Sequence, residues 1–289
     1  MTVENFFDLF LEELKGNEGL WSYYKYHTDT KSLAFRKAYF CQRLQYIADH
    51  ITKKGSVTWD LGCGYGTTAL FLALNGFKIH GTTLEFYFKE IPQRMKYWSQ
   101  FGDVSGFTFD YEDLFDPSVQ RGQFDYIIVQ DTLHHLEPLQ DALRILHDQL
   151  KPEGEMVVIE ENGSNIIQSL KLYRQRGNKR IIEFYDERLK KTILLGNENI
   201  RSLNLWKKEM EKQQLSVVDS TVHYLRIFPP SLFNKYGYAS AIEKEQKLWR
   251  TSTIARNFFF FGINFIAKRA DKSQVKESAV HSTAATSHS

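Results

Sequence analysis

A chain of 289 residues that is 42% hydrophobic is long enough for one large domain, or one domain with insertions, around a sizeable core. Its 37 Lys and Arg against 35 Asp and Glu leave a net charge of +2, which gives no general pull toward nucleic acid or an anionic membrane and disfavours an RNA substrate. Two cysteines, Cys41 and Cys63, support neither a disulfide framework nor a cysteine-rich zinc site; with no basic leader at Met1–Asp8 and no apolar run longer than Phe258–Ala267, a cytoplasmic protein without a membrane span is expected.

From Val3 to Leu14, Phe6, Phe7, Phe10, Leu11 and Leu14 fall at helical spacing and Lys15-Gly16-Asn17 supplies a stop. Leu20–His27 then gathers Trp21, Tyr23, Tyr24, Tyr26 and His27, a stretch suited either to covering a ligand or to ordinary helix packing. A longer helical pattern follows from Ser32 to about Ile51. The whole of residues 1–54 reads as an N-terminal helical lid.

Residues 55–160 alternate strand and helix: strand Val57–Leu61, helix Thr67–Asn75, strand Lys78–Thr83, helix Phe86–Phe101, strands Phe107–Tyr111 and Phe124–Gln130, a helix opened by Glu137-Pro138, and strand Glu155–Glu160. The apolar strand centres, Ile127-Ile128-Val129 and Met156–Ile159, argue for a parallel sheet covered on both faces, with ligands at the carboxyl ends of its strands. Beyond Glu160 the rhythm breaks. Residues 161–214 read as a helical, Lys- and Arg-rich insertion on the substrate side, with helices at Leu170–Gln175, Ile181–Lys190 and Ile200–Gln214. Residues 215–270 return to two strand candidates, Leu215–Phe228 and Phe258–Lys268, with a helix at Ala239–Arg250 between them, and residues 271–289 read as a disordered tail.

The organising stretch is Val57-Thr-Trp-Asp-Leu-Gly-Cys-Gly-Tyr-Gly-Thr-Thr-Ala69, a buried strand running into a glycine turn and a helix. Missing side chains at Gly62, Gly64 and Gly66 let the backbone turn sharply and lie against a ligand. A dinucleotide loop would place its third glycine at position 67, where Thr67 stands, so the spacing favours a cofactor without a pyrophosphate.

Asp60, Gly62, Gly64 and Gly66 match D/E-x-G-x-G-x-G, and the stretch resembles motif I of the class I S-adenosylmethionine (SAM) dependent methyltransferases. The resemblance covers about residues 55–160. It implies an α/β fold with a doubly wound, mostly parallel seven-stranded sheet, SAM as cofactor, and a loop in which Asp60, Gly62, Cys63, Gly64 and Gly66 contact it. The acid that accepts the ribose hydroxyls in the family usually lies two residues after a glycine. Counting from Gly81, that position is Thr83, and the acid is Glu85; this Gly-x-Thr-Leu variant is similar to the cyclopropane synthase and mycolate methyltransferase branch. Either Thr83 or Glu85 is expected at the ribose, with a helix-capping role the alternative for Glu85.

Asp113 stands where the family places its adenine-side acid, with the Leu114 amide facing a ring nitrogen and Glu112 the alternative one residue away. Val129–Leu136 resembles the post-strand segment of the small-molecule methyltransferases, which puts Gln130 and Asp131 beside the methionine part of the cofactor. His134 or His135 could act as general base there, His135 being the candidate, with structural capping the alternative. Adjacent histidines at a helix start point in different directions and no third ligand has matching spacing, so no metal site is expected. Glu160, at the end of the fifth strand, is the second candidate base, and helix capping or an ion pair with Lys171, Arg174 or Arg176 of the insertion is its alternative.

The expected reaction is methyl transfer to a small acceptor, hydrophobic or aromatic because aromatics make up 15% of the chain. The alternatives are a SAM-fold binding or scaffold protein without transferase activity, and a nicotinamide oxidoreductase.

Overall fold

A computed structural model describes residues 1–24, 32–84, 86–116 and 123–270. The expectations for Tyr26, His27, Glu85 and the 271–289 tail lie outside the described residues.

Five parallel strands, β1 (Val57–Leu61), β2 (Lys78–Thr83), β3 (Phe107–Tyr111), β4 (Phe124–Gln130) and β5 (Leu150–Glu161), form most of the sheet. β8 (Leu215–Val217), β9 (His223–Leu225) and β10 (Gly262–Arg269) complete it. The order is β3-β2-β1-β4-β5-β10-β8, with β10 antiparallel to β5 and with β8 and β9 sharing its far edge. The strand expected over Leu215–Phe228 is thus two short pieces, split by the turn Asp219–Thr221. That over Phe258–Lys268 begins only at Gly262, because Thr253–Phe258 is helical.

Side-chain alternation along β4 and β5 builds a core on each face. Ile128, Val157 and Ile159 join one cluster, and Ile127, Val129, Met156 and Val158 the other. The first lies under α1 (Val3–Gly16), α3 (Leu33–His50), α4 (Thr67–Leu74) and α5 (Ile91–Trp98). The second lies under α6 (Leu139–Gln149) and α8 (Leu203–Glu211).

Of the N-terminal residues, α1 is part of the core. Phe6, Phe7, Phe10 and Leu14 are buried on one face of it, and Phe6 stacks on Trp98 with ring centroids 4.3 Å apart. A buried ion pair, Glu13 to Arg94 at 2.7 Å, fixes α1 to α5. Arg94 also donates to the Tyr65 carbonyl and the Thr67 hydroxyl, each at 2.7 Å, so α1 is tied to the glycine loop itself. Among the described N-terminal residues, those of α2 (Glu18–Tyr24) and α3 reach the cleft beyond it.

The insertion contains α7 (Ile166–Arg176) and α8, but the helix expected over Ile181–Lys190 is a hairpin of β6 (Ile181–Asp186) and β7 (Lys191–Gly196). β-branched and aromatic residues, Ile181 and Ile182 together with Phe184 and Tyr185 paired with Ile193 and Thr192, suit a pleated surface better than a helix. The C-terminal helices are α9 (Pro230–Tyr236), α10 (Tyr238–Thr251) and α11 (Thr253–Phe258). Among the described residues, no helix is long and apolar enough to cross a membrane.

Candidate functional site

A cleft of about 560 Å³ opens at the carboxyl ends of β1, β2 and β4, covered by α2, α3 and the β6–β7 hairpin. Its floor is the glycine loop. Gly62, Gly64 and Gly66 all have positive φ, +74°, +52° and +71°, the region that excludes most side chains. Each also meets a different neighbour. A Cβ on Gly62 would collide with the Thr132 side chain, and one on Gly66 would lie 2.7 Å from the Phe107 ring behind the cleft. At Gly64 the nearest atom would be a Tyr87 ring carbon 4.0 Å away, so the face there is open to the cleft. The Gly62 and Cys63 amides donate to the Thr82 carbonyl at 2.9 and 3.0 Å, pinning the loop to β2.

Asp60, the penultimate residue of β1, is 2% exposed and lines the cleft. Its Oδ2 has no hydrogen-bond partner among the described residues, and burial pushes its pKa up to about 7. A buried carboxylate oxygen without a partner, facing an open cleft, fits a cationic ligand group such as an ammonium.

Thr83, Asp113, Leu114 and Gln130 line the same cleft, as do Gly62, Cys63 and Gly64; Gly66 stands behind it as the N-cap of α4. Gln130 accepts from the Thr68 hydroxyl at 2.9 Å, which orients its amide. Asp113 accepts from the Phe115 amide at 3.1 Å and pairs with Lys191 at 2.9 Å. Glu112 also reaches the cleft wall.

Beyond Gln130 the walls change character. Ile182, Ile193, Leu194, Leu195 and Leu136 are apolar, while Tyr39, Arg43, Asp131, His135 and Glu198 are polar. Arg43 of α3 pairs with Asp131, which takes φ +50° at the end of β4. Tyr23 meets Tyr65 and Tyr87 edge to face beside the loop, and the Tyr65 and Tyr87 rings are tilted to each other with centroids 4.3 Å apart.

Of the two candidate bases, His135 lines the cleft and Glu160 does not. Glu160 is 1% exposed; its carboxylate lies 2.6 Å from His134 Nδ1 and accepts from the His134 amide. The expectation for Glu160 is corrected accordingly: the His134 turn closes over the end of β5 and takes up the carboxylate. Burial works against the His134 imidazolium, but the adjoining Glu160 carboxylate more than offsets it and pushes the pKa up to about 9.

Sequence reasoning missed the whole hairpin wall, including Lys191 and Glu198, since residues far along the chain carry no local spacing signal. It also missed Arg43, which reads as one more charge on a helix.

A family model described as a methyltransferase domain matches residues 32–195, more than half of the chain. Over 121 residues the chain is 29% identical to a ubiquinone biosynthesis O-methyltransferase of Marinobacter nauticus; the match covers 40% of this chain and 48% of that protein, so the chain spans about half the length of this curated relative. Among solved structures, the geranyl diphosphate C-methyltransferase of Streptomyces coelicolor, in complex with Mg2+, geranyl diphosphate and S-adenosyl-L-homocysteine, aligns with TM-score 0.56 and 16% identity over 83% of this chain and 81% of that one. A SAM-dependent methyltransferase of Methanosarcina mazei aligns with TM-score 0.51 and 15% identity over 78% and 98%. At such identities the structural likeness concerns the fold alone.

Proposed function

The chain belongs to the methyltransferase domain family, within the class I SAM-dependent methyltransferases, and from that premise we propose that it methylates a small, apolar or aromatic acceptor. The observation that carries the reading is the cleft itself. It joins the unpartnered Asp60 carboxylate and the open face of Gly64 at one end to an apolar wall with His135 at the other.

When bound, SAM supplies a methyl group made electrophilic by its sulfonium. In this reading Asp60 takes the ammonium, the backbone of Gly62, Cys63 and Gly64 lies along the methionine part, and Gln130 fixes its far side. Thr83, with Glu85 beside it in sequence, serves the ribose; Asp113 and the Leu114 amide serve the adenine. Tyr23 and Tyr87 add ring faces that favour a cation. The hairpin side chains Ile182, Ile193 and Leu195 exclude water and hold the acceptor in line, so positioning is the main contribution of the protein. A proton leaving an acceptor oxygen or nitrogen would be taken at the His135 end. The ubiquinone-pathway relative, an O-methyltransferase, supports a hydroxyl acceptor.

The test is incubation with isotope-labelled SAM and fractionated metabolites, followed by mass spectrometry of the product. Label in a hydrophobic small molecule is the expected result. Label only in protein or RNA would remove the small-molecule reading. Stabilisation by NAD(P) but not by S-adenosylhomocysteine would remove the cofactor assignment.

A further inference from the structure

We propose that His134, His135 and Glu198 form a divalent-cation site at the acceptor end of the cleft. The proposal rests on the methyl-transfer reading only for what the cation would do, not for its binding. Candidate ligand atoms of the three residues all lie within 4.8 Å of one another. The Glu198 carboxylate stands 3.7 Å from His134 Nε2 and 3.9 Å from His135 Nε2.

The arrangement is specific in its protons. His135 Nδ1 lies 2.9 Å from the Gly196 carbonyl, an oxygen that can only accept, so this nitrogen carries the hydrogen. His134 Nδ1 lies 2.6 Å from the Glu160 carboxylate, again an acceptor. With both Nδ1 atoms holding their protons, Nε2 is the nitrogen left to each ring for ligation, the cation displacing any proton on it, and both Nε2 atoms face one carboxylate. Imidazoles held through Nδ1 by a carboxylate and by a carbonyl are the supporting shell that a metal-ligating histidine needs.

Local geometry explains how adjacent histidines converge. They stand in the tight turn Leu133–His135, not in an α-helix, and their ring centroids are 4.1 Å apart. The third donor is brought in by the hairpin. Leu195 bridges to Leu136, the Asn199 amide donates to the His134 carbonyl at 3.2 Å, and any Cβ on Gly196 would collide with that carbonyl. Glu198 itself takes φ +56°. The turn and the end of β7 are therefore one packed unit.

Tetrahedral ligation with metal-donor distances near 2 Å requires donors about 3.3 Å apart; Glu198 reaches this by closing well under an ångström on each ring, and the imidazole donors, within 4.8 Å of each other, by ring rotation of similar size. Two imidazoles and one carboxylate suit Zn2+ and, with an open coordination sphere, Mn2+ or Fe2+. His135 and Glu198 line the cleft, so the remaining positions face the acceptor. The ligand class that follows is an oxygen donor, a hydroxyl or phenol whose oxygen the cation would hold and acidify; with the cation bound, His135 is its ligand and the proton leaves to solvent, the base role at His135 applying to the metal-free site.

The probe is Co2+ added to full-length protein stripped with a chelator, read by visible d–d absorption and by calorimetry. One equivalent is expected to bind the wild type with the bands of nitrogen-oxygen ligation. Glu198→Ala and His135→Ala, both at partly exposed positions, should each weaken binding at least about tenfold with the metal-free melting temperature unchanged. Glu160→Gln should weaken it by about tenfold through the His134 ring. Absence of bands in the wild type, or equal binding by Glu198→Ala, would overturn the site. S-adenosylhomocysteine binding by the metal-free wild type is measured in parallel, so that loss of the cofactor reading and loss of the metal site are separate outcomes.

Discussion

Lys191 places its ammonium 2.9 Å from the Asp113 carboxylate, and so ties the first residue of β7 to the segment that follows β3. The same hairpin is fastened a second time by Tyr111, which donates to Asp186 at 2.6 Å. Asp113 thereby has two tasks, one toward the hairpin and one toward the proposed adenine. Their energies differ. Lys191 is partly exposed, and a pair of that kind is worth about 0–1 kcal/mol, whereas a hydrogen bond lost at a buried carboxylate costs about 1–3 kcal/mol. Asp113→Ala is accordingly expected to weaken S-adenosylhomocysteine by about 1–3 kcal/mol, and Lys191→Ala and Glu112→Ala by less. Calorimetry on the three variants checks this, and a larger loss in Glu112→Ala would move the adenine site by one residue.

The glycine loop offers a contrast between two substitutions of the same size. Gly64→Val meets open space within the protein, so apart from left-handed strain of about 1–2 kcal/mol its burden falls on the ligand. Cofactor binding should be abolished and the cooperative thermal transition kept. Gly66→Val drives its Cβ into the Phe107 ring of the core and should unfold the domain. Unchanged affinity in Gly64→Val would take the cofactor out of this loop.

The loop was legible in sequence because everything it needs is local: a strand end, three glycines and a helix start within one short stretch. The parallel core was legible for the same reason, its strand centres being unbroken apolar runs. The acceptor side was not. Ile181–Lys190 carries apolar residues that read equally well as one face of a helix, and its partner strand decides for a hairpin. Glu160 illustrates the other limit. Alternation along β5 says only that neighbouring side chains diverge; it is the His134 turn that captures Glu160, while Arg226 and Gln168 take Glu161. Glu198 had no signature at all, since its position depends on where the hairpin ends.

The Glu13–Arg94 pair carries the next expectation. Arg94 is 1% exposed and makes its contacts to Glu13, Tyr65 and Thr67 without water access, so removing Glu13 leaves a buried guanidinium short of its counter-charge. Breaking a buried pair from one side costs about 3–5 kcal/mol. Glu13→Ala should lower the urea midpoint by that equivalent. Glu13→Gln, which keeps an acceptor for the Trp98 indole now bonded at 2.9 Å, should cost less. A loss below about 1 kcal/mol in Glu13→Ala would mean that α1 is not coupled to the loop through this pair.

Asp60 gives the binding site a dependence on pH whose sign follows from its burial. Its folded pKa of about 7 lies above the unfolded value of about 3.9, so the stability linked to its neutral form is complete below about pH 4 and is lost as pH rises through 7. The ligand-free protein should therefore become less stable across that window. A bound ammonium reverses the preference, because it favours the ionised carboxylate. Binding of S-adenosylhomocysteine then expels the Asp60 proton whenever the pH is below about 7. Affinity should rise by up to about tenfold per pH unit between pH 5.5 and 7 and level off above, the slope set by release of one proton. Asp60→Asn cannot take part in this exchange: its affinity should be weaker at pH 7.5 and nearly flat across the range. Calorimetry in buffers of differing ionisation enthalpy reads the proton directly. Release of about one proton at pH 6 by the wild type and none by Asp60→Asn is the expected pair of results. Equal release by both proteins would assign the titration to another group and leave the ammonium without this partner.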